Sequence, residues 1–271
     1  MYNITETVKH LLIINGIFFL ATAISGNQFY DLFALHYPDN PKFQIWQPIT
    51  HMFMHGDIYH IFFNMFGLWM FGMPLEKMWG KKKFIFFYLS TGLGAASLQL
   101  LLYNYQISSI NDLLFSSGVN ESELVNFYRT GYLPGRISES ILNNLPLNDA
   151  FNSYHSVMVG ASGALYGVLV GFAMLFPNAQ LMLLFPPIPV KAKILVPILI
   201  LADLFFGFSS YSIGPIAHFA HVGGALTGLV MMWYWKKKQF DNNRWDLCCL
   251  LYTSDAADEG LGVDLGGRRI I

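Results

Sequence analysis

The sequence predicts an all-α, polytopic membrane protein built as a bundle of six transmembrane helices, with both termini on the cytoplasmic side. Of its 271 residues, 54% are hydrophobic and 12% are charged, whereas an ordinary soluble domain carries about 25% charged residues. Apolar stretches recur at lengths near the ~20 residues that cross a bilayer core. Lysines gather on one side of such a bundle. These observations together predict the fold class.

Six apolar segments are interpreted as spans. The first follows a start that contains Glu6 and Lys9 and has no small-residue cleavage site, so it is interpreted as a retained helix and not as a signal peptide. The predicted spans are His10–Ser25, Ile58–Met78, Phe84–Asn104, Val157–Phe176, Ile194–Phe208 and Gly214–Trp235.

Charge predicts the orientation, because cytoplasmic loops carry an excess of Lys and Arg. If there are six spans, one side holds Lys9, Lys77, Lys81, Lys82, Lys83, Lys191, Lys193, Lys236, Lys237 and Lys238. The other side holds Lys42, Arg129 and Arg136. Both termini are then cytoplasmic, and the long connection 105–156 faces outward. Its apolar pieces, Ile110–Phe115 and Ile137–Leu147, predict short helices on the membrane surface.

Composition divides the chain into a membrane domain, 1–248, and a tail, 249–271. The segment CLLYTSDAADE at Cys249–Glu259 resembles a translated adapter used in preparing sequencing libraries. The tail is therefore predicted to be non-native and to have no role in the fold. Cys248 and Cys249 are adjacent, a poor arrangement for a disulfide framework or a metal site.

Four polar side chains in the predicted spans are candidates for function, because polar groups are costly inside a membrane. They are His60 and Asn64 on the second span, Ser162 on the fourth and His221 on the sixth. These spans all run from outside to inside. Asn64, Ser162 and His221 lie roughly 7–11 Å below the outer surface at 1.5 Å per residue. The candidates are therefore predicted to share one depth.

Glycines predict how two of these spans approach each other. Gly163, Gly167 and Gly171 repeat every fourth residue on the fourth span, and Gly224 and Gly228 do so on the sixth. This spacing is typical of closely packed transmembrane helices. Close backbones allow a serine hydroxyl and a histidine ring to meet, and a serine becomes a useful nucleophile when a neighbouring base takes its proton.

Three motifs carry a family resemblance. GASGALYG at Gly160–Gly167 and AHVGGALTG at Ala220–Gly228 resemble the two catalytic-helix motifs of the rhomboid intramembrane serine proteases. THMFMHGDIYHIFFN at Thr50–Asn64 is similar to the histidine-rich segment that leads into the family's second span. The resemblance covers about Trp46 to Trp235, apart from the long outer loop.

The resemblance implies that Ser162 attacks the scissile carbonyl and that His221 acts as general base and then as general acid. It implies no carboxylate partner, so the expected site is a dyad. His60, Asn64 and the backbone N–H of Ser162 would stabilise the oxyanion, and Tyr166 would pack on the His221 ring. The implied supporting residues are Tyr166, Gly160, Gly163, Gly224 and Gly228. The family's common Trp-Arg pair is Trp46-Gln47 here, so no arginine role is carried over.

Structural interpretations of the same residues remain open. Ser162 alone is compatible with a packing residue bonded within its own helix. His60 and Asn64 are compatible with an interhelical clasp, and His51 and His55 with braces of the loop. A zinc site is an alternative for the histidines, but no carboxylate or thiol joins them at ligand spacing. His218, near the outer end of the sixth span, is interpreted as structural.

The predicted function is cleavage of peptide bonds in or beside the transmembrane segments of other membrane proteins. The predicted partners are these substrates and the lipid bilayer, with no cofactor, metal or nucleic acid. The predicted location is a bacterial-type inner membrane. The resemblance implies substrates with small residues at the cut and helix-weakening residues nearby. The alternatives are a catalytically inactive relative that binds membrane clients, and a transporter or channel with a polar midplane site.

Overall fold

A computed structural model describes residues 4–135, 146–182, 188–209 and 217–241. Residues 1–229 form one compact unit, and residues 230–271 form a second unit. The predicted tail 249–271 lies outside the described residues, so its non-native origin stays a prediction. All the candidate site residues lie in the first unit.

Helices dominate the described residues. In chain order the described helices are α1 (Glu6–Ser25), α2 (Asn27–Phe33), α3 (Gln47–Thr50), α4 (Ile58–Gly67), α5 (Met73–Trp79), α6 (Lys81–Ser116), α7 (Glu121–Thr130), α8 (Leu147–His155), α9 (Ser162–Leu175), α10 (Ala192–Phe208) and α11 (His218–Asp241). A π-helical turn, Leu68–Gly72, joins α4 to α5. A 3₁₀ turn, His51–Phe53, follows α3.

Three helices are long and apolar enough to cross a membrane within the described part of the chain. They are Glu6–Ser25, Ile58–Trp79 and Lys81–Ser116. The helix Ser162–Leu175 is apolar but shorter. The predicted number of six spans is therefore reached only if three further helices, such as Ser162–Leu175, Ala192–Phe208 and His218–Asp241, also cross.

One end of the bundle is fixed by the carboxylate of Glu76 on α5. Its two oxygens accept the backbone N–H groups of Thr7 and Val8, at 2.8 and 2.9 Å. These donors lie in the first turn of α1, where N–H groups lack helical partners and a negative charge is favourable. Glu6 also pairs with Lys81 at the start of α6. The starts of α1 and α6 and the end of α5 therefore lie together.

The third span is longer than predicted. The sequence predicts that it ends at Asn104, but α6 continues to Ser116, about 54 Å of helix at 1.5 Å per residue. The added turns pack with α7 and α8 around a hydrophobic cluster of Tyr37, Ile107, Ile110, Leu114, Val119, Leu124, Phe127, Tyr128 and Ala150. The connection 105–156 is thus largely an ordered helical layer, and the predicted segment 137–147 lies mostly outside the described residues.

The fourth span starts later than predicted. The helix begins at Ser162 and not at Val157. Met158 instead pairs with Leu35 as an isolated bridge, with N–H to carbonyl distances of 2.9 and 3.0 Å. Gly160 has a φ of +118°, a left-handed conformation that suits glycine and that ends the extended segment. The serine therefore occupies the first position of α9.

The described residues are mostly helical, as the all-α prediction requires, and they include one short sheet that the sequence does not predict. β1 (Gln180–Met182) and β2 (Pro189–Lys191) form an antiparallel two-stranded sheet, with Leu181 opposite Val190. The pair precedes α10, which carries Pro197 in its interior. The residues between the strands, 183–187, lie outside the described residues, as do 210–216 at the predicted start of the sixth span.

Candidate active site

Ser162 lies at the start of α9. The first N–H groups of a helix have no intrahelical acceptor, and the dipole there favours negative charge. The N–H groups of Ser162 and of its neighbour Gly163 belong to this first turn. The serine hydroxyl is thus accompanied by backbone donors, the arrangement that can stabilise an oxyanion formed beside it.

His221, in the first turns of α11, meets this serine directly. Its Nε2 lies 2.8 Å from Ser162 Oγ, within the range of an O–H···N hydrogen bond. The two residues are 59 positions apart in the chain, so the contact depends on helix packing. The spacing of the glycines predicts that α9 and α11 approach each other closely, and the structure confirms this contact.

Glycines allow α9 and α11 to touch along their backbones. A Cβ atom at Gly224 would overlap the carbonyl oxygen of Gly163, and one at Gly228 would lie 2.8 Å from the Cα of Gly167. Gly163 and Gly167 also face Ala95 and Thr91 on α6. α9 is therefore held between two helices that leave no room for side chains at these positions.

Tyr166, one turn after the serine, stacks on the histidine. The ring centroids of Tyr166 and His221 are 4.3 Å apart and their planes differ by 8°. The predicted packing of these rings is confirmed. The stack restricts rotation of the imidazole, which keeps Nε2 directed at Ser162.

A carboxylate accompanies the pair, contrary to the sequence prediction. Asp203 lies on α10 with 7% of its surface exposed. Its Oδ1 is 3.1 Å from Nδ1 of His221 and 2.6 Å from Nδ1 of His218. The expectation that no carboxylate joins the serine and histidine is therefore wrong.

His60 lies on the other side of the serine. A Cβ atom at Gly160 would lie 2.6 Å from His60 Nε2 and 3.6 Å from Ser162 Oγ, so the lack of a side chain at Gly160 allows the His60 ring to approach the backbone beside the serine. The N–H of Gly56 donates to His60 Nδ1 at 3.4 Å. This bond favours the tautomer with hydrogen on Nε2. His60 can then donate toward the space beside the serine.

Asn64 is buried one turn below His60 on the same face of α4. Its side-chain nitrogen donates to the backbone carbonyl of His60 at 3.0 Å, and 5% of its surface is exposed. The interhelical clasp that was an alternative for His60 and Asn64 is not present among the described contacts, since this bond lies within one helix. The structure places Asn64 near the site without showing it in contact with Ser162.

The loop beneath the site is braced as the sequence predicts. The backbone carbonyl of His51 accepts the N–H of Gly160 at 2.9 Å. Nδ1 of the His51 ring lies 3.0 Å from the carbonyl of Gln47. The His55 ring meets the edge of His60, with centroids 4.9 Å apart. Burial lowers the pKa of His51 and of His55 to about 4. Both rings are therefore neutral near pH 7.

Gln47 occupies the position where the resemblance would have an arginine. Its amide nitrogen donates to the carbonyls of Asp31 and Lys42, at 3.1 and 2.9 Å. Its amide oxygen accepts the N–H of His36 at 3.3 Å. A fully buried neutral amide thus joins the backbone at Asp31, His36 and Lys42, and it brings no charge that would have to be compensated.

No cluster of three or more His, Cys, Asp and Glu side chains suited to a metal ion occurs within the described ranges. The prediction that the protein binds no metal stays a prediction.

Comparison with known proteins identifies the class. A family model described as the rhomboid domain matches residues 42–119 and 123–238, well over half of the chain. The chain belongs to the rhomboid family. With its long apolar helices, it is an integral membrane protein.

Two kinds of relative match. Rhomboid protein 1, mitochondrial, from Saccharomyces cerevisiae is 27% identical over 187 residues, covering 68% of this chain and 40% of the yeast protein. Rhomboid protease GlpG from Salmonella newport and from Salmonella heidelberg is 36% identical over 69 residues, covering 25% of each chain. The match thus spans less than half of either relative. A mitochondrial match beside bacterial ones gives no support to the expected bacterial inner membrane.

Proposed function

We propose that this chain is an intramembrane serine endopeptidase that cleaves peptide bonds in or beside the transmembrane segments of other membrane proteins. The observation that carries the proposal is the 2.8 Å contact between Ser162 Oγ and His221 Nε2 at the start of α9. A base at hydrogen-bond distance activates a serine hydroxyl for covalent catalysis. Membership of a family that includes a protein named as a protease supports the same chemistry.

The proposed reaction proceeds through an acyl-enzyme. His221 takes the hydroxyl proton as Ser162 attacks the carbonyl carbon, and it returns that proton to the leaving nitrogen. A water molecule, activated by His221, then hydrolyses the ester. The N–H of Ser162, Nε2 of His60 and the amide of Asn64 are the proposed oxyanion donors. Each such donor contributes about 2.7–4 kcal/mol in comparable sites.

The depth of the serine supports access of water from one face only. α9 has 14 residues, about 21 Å of helix, which is shorter than the ~30 Å hydrocarbon core. If the C-terminal end of α9 reaches the inner surface, Ser162 lies several ångströms below the outer one. Substrate helices would then reach the serine laterally and water from the outer side.

The test is cleavage of a transmembrane peptide with small residues at its centre by purified protein in detergent. Wild type is expected to cleave, and Ser162→Ala is expected to show background only. Ser109→Ala is the matched control, since Ser109 is an exposed serine of α6 whose hydroxyl donates within its own helix. It should cleave at the wild-type rate. A folded wild type that binds membrane peptides without cleaving them would instead favour the inactive client-binding relative.

We also propose six spans with both termini cytoplasmic. The lysines at the α5–α6 junction and before α10 lie at helix ends, where the excess of positive charge marks the cytoplasmic side. The contacts of Glu76 and Glu6 join the starts of α1 and α6 at that same end.

Reporter fusions test this topology. A reporter active only outside the membrane should be active when fused after Asn120 and inactive when fused after Lys238. The reverse pattern would show that the termini face outward, and Ser162 would then not lie near the outer surface.

A further inference from the structure

We propose that Asp203 is a positioning residue, whose carboxylate fixes the tautomer and orientation of His221 so that Nε2 accepts the proton of Ser162. This inference rests on the proposed function. It replaces a two-residue site with a chain of three side chains from α9, α11 and α10.

The two nitrogens of His221 have different partners. Nε2 meets Ser162 Oγ at 2.8 Å, and Nδ1 meets Asp203 Oδ1 at 3.1 Å. An ionised carboxylate only accepts hydrogen bonds, so Nδ1 must carry the hydrogen. In neutral imidazole Nε2 is then the bare nitrogen, which is the form that removes a proton from serine. The carboxylate also stabilises the imidazolium formed after transfer.

The carboxylate is itself held in place by two histidines of α11. A buried charge is costly unless it is hydrogen-bonded, and α10 is otherwise strongly apolar around Asp203. Nδ1 of His218 lies 2.6 Å from Oδ1, beside the 3.1 Å contact of His221. The Tyr166 ring stacks on His221, so the imidazole is restricted by the stack on its face and by the carboxylate at Nδ1.

A simpler role for Asp203 is a clasp between α10 and α11. His218 is nearer to Oδ1 than His221 is, at 2.6 against 3.1 Å, so the carboxylate has a partner without any part in catalysis. The two roles differ in what they affect. A clasp acts through folding and responds equally to loss of either partner, whereas a positioning residue acts on kcat.

The experiment compares wild type, Asp203→Asn, Asp203→Glu and His218→Ala in detergent, with rates expressed per molecule of monodisperse protein. Asp203→Asn is expected to lower kcat by about 10²–10⁴-fold, with KM within about threefold, because only the proton-transfer step is impaired. Asp203→Glu keeps the charge, so its kcat should be at least about tenfold higher than that of Asp203→Asn. His218→Ala should lower kcat by at least about tenfold less than Asp203→Asn does, because Nδ1 of His221 still has its acceptor even though the carboxylate has lost one donor.

Two results would overturn the inference while leaving the proposed function intact. One is an Asp203→Asn protein with kcat within about threefold of an active wild type. The other is equal loss in Asp203→Asn and His218→Ala that follows their thermal stability, which would identify a clasp. An inactive wild type would overturn the proposed function, and this inference with it.

Discussion

Replacing His221 by alanine is expected to reduce cleavage of a transmembrane peptide by about 10²–10⁴-fold, the usual contribution of a general base. The reason is the 2.8 Å contact from Nε2 to Ser162 Oγ, for which alanine offers no acceptor. Initial rates in detergent, at matched protein concentration, measure the effect.

His218→Ala is the matched comparison, since His218 lies one turn earlier on the same helix. Its Nδ1 contacts Asp203, and the serine contact belongs to His221. Most activity should therefore remain. A fully active His221→Ala protein would remove this histidine as the base, and an inactive, well-folded His218→Ala protein would move the base one turn outward.

The second large effect is expected at Gly224. A methyl group there would overlap the carbonyl oxygen of Gly163, which is backbone and cannot rotate away. α9 and α11 must separate, which moves His221 from Ser162. Overpacking of this kind costs about 1–3 kcal/mol or more. Gly224→Ala is therefore expected to lower the thermal midpoint in detergent and to abolish most cleavage.

Gly16→Ala is the control, because a Cβ atom at Gly16 on α1 would have nothing within 4 Å. It should be neutral, or stabilising by about 0.5–1 kcal/mol through better helix propensity. If Gly224→Ala were as stable and active as Gly16→Ala, the close packing of α9 on α11 would not be needed for the site.

The sequence was sufficient for features that depend on side-chain spacing. Glycines at every fourth position predict the contact of α9 with α11, and Tyr166 one turn after Ser162 predicts the stack on His221. Helical periodicity determines that the glycines share a face, whereas the stack of Tyr166 on His221 is what the family resemblance implies. The serine and histidine were therefore found before their distance was known.

Features that depend on backbone conformation were missed. Apolar residues before Ser162 resemble the start of a span, but the positive φ of Gly160 and the pairing of Met158 with Leu35 delay the helix. The extension of α6 beyond Asn104 had a usable signal, since Ile107, Ile110 and Leu114 recur at helical spacing and all are buried.

Asp203 was missed although the sequence offered a sign of it. It is the one charged residue in ILVPILILADLFFGF, and a charge in an apolar span is a functional candidate because burying it is costly. No family motif surrounds it, and its two histidine partners lie on another helix, α11. Only the packing of α10 against the site shows which histidines it meets.

The most direct test of the central claim is covalent capture of the nucleophile. A fluorophosphonate should phosphonylate Ser162 Oγ, with loss of fluoride, because His221 removes the hydroxyl proton. Peptide mass mapping of the labelled wild-type protein is expected to find a single adduct on Ser162, and the His221→Ala protein should show almost none. An adduct on a different residue, with Ser162 unmodified in protein that has lost its cleavage activity, would contradict the account.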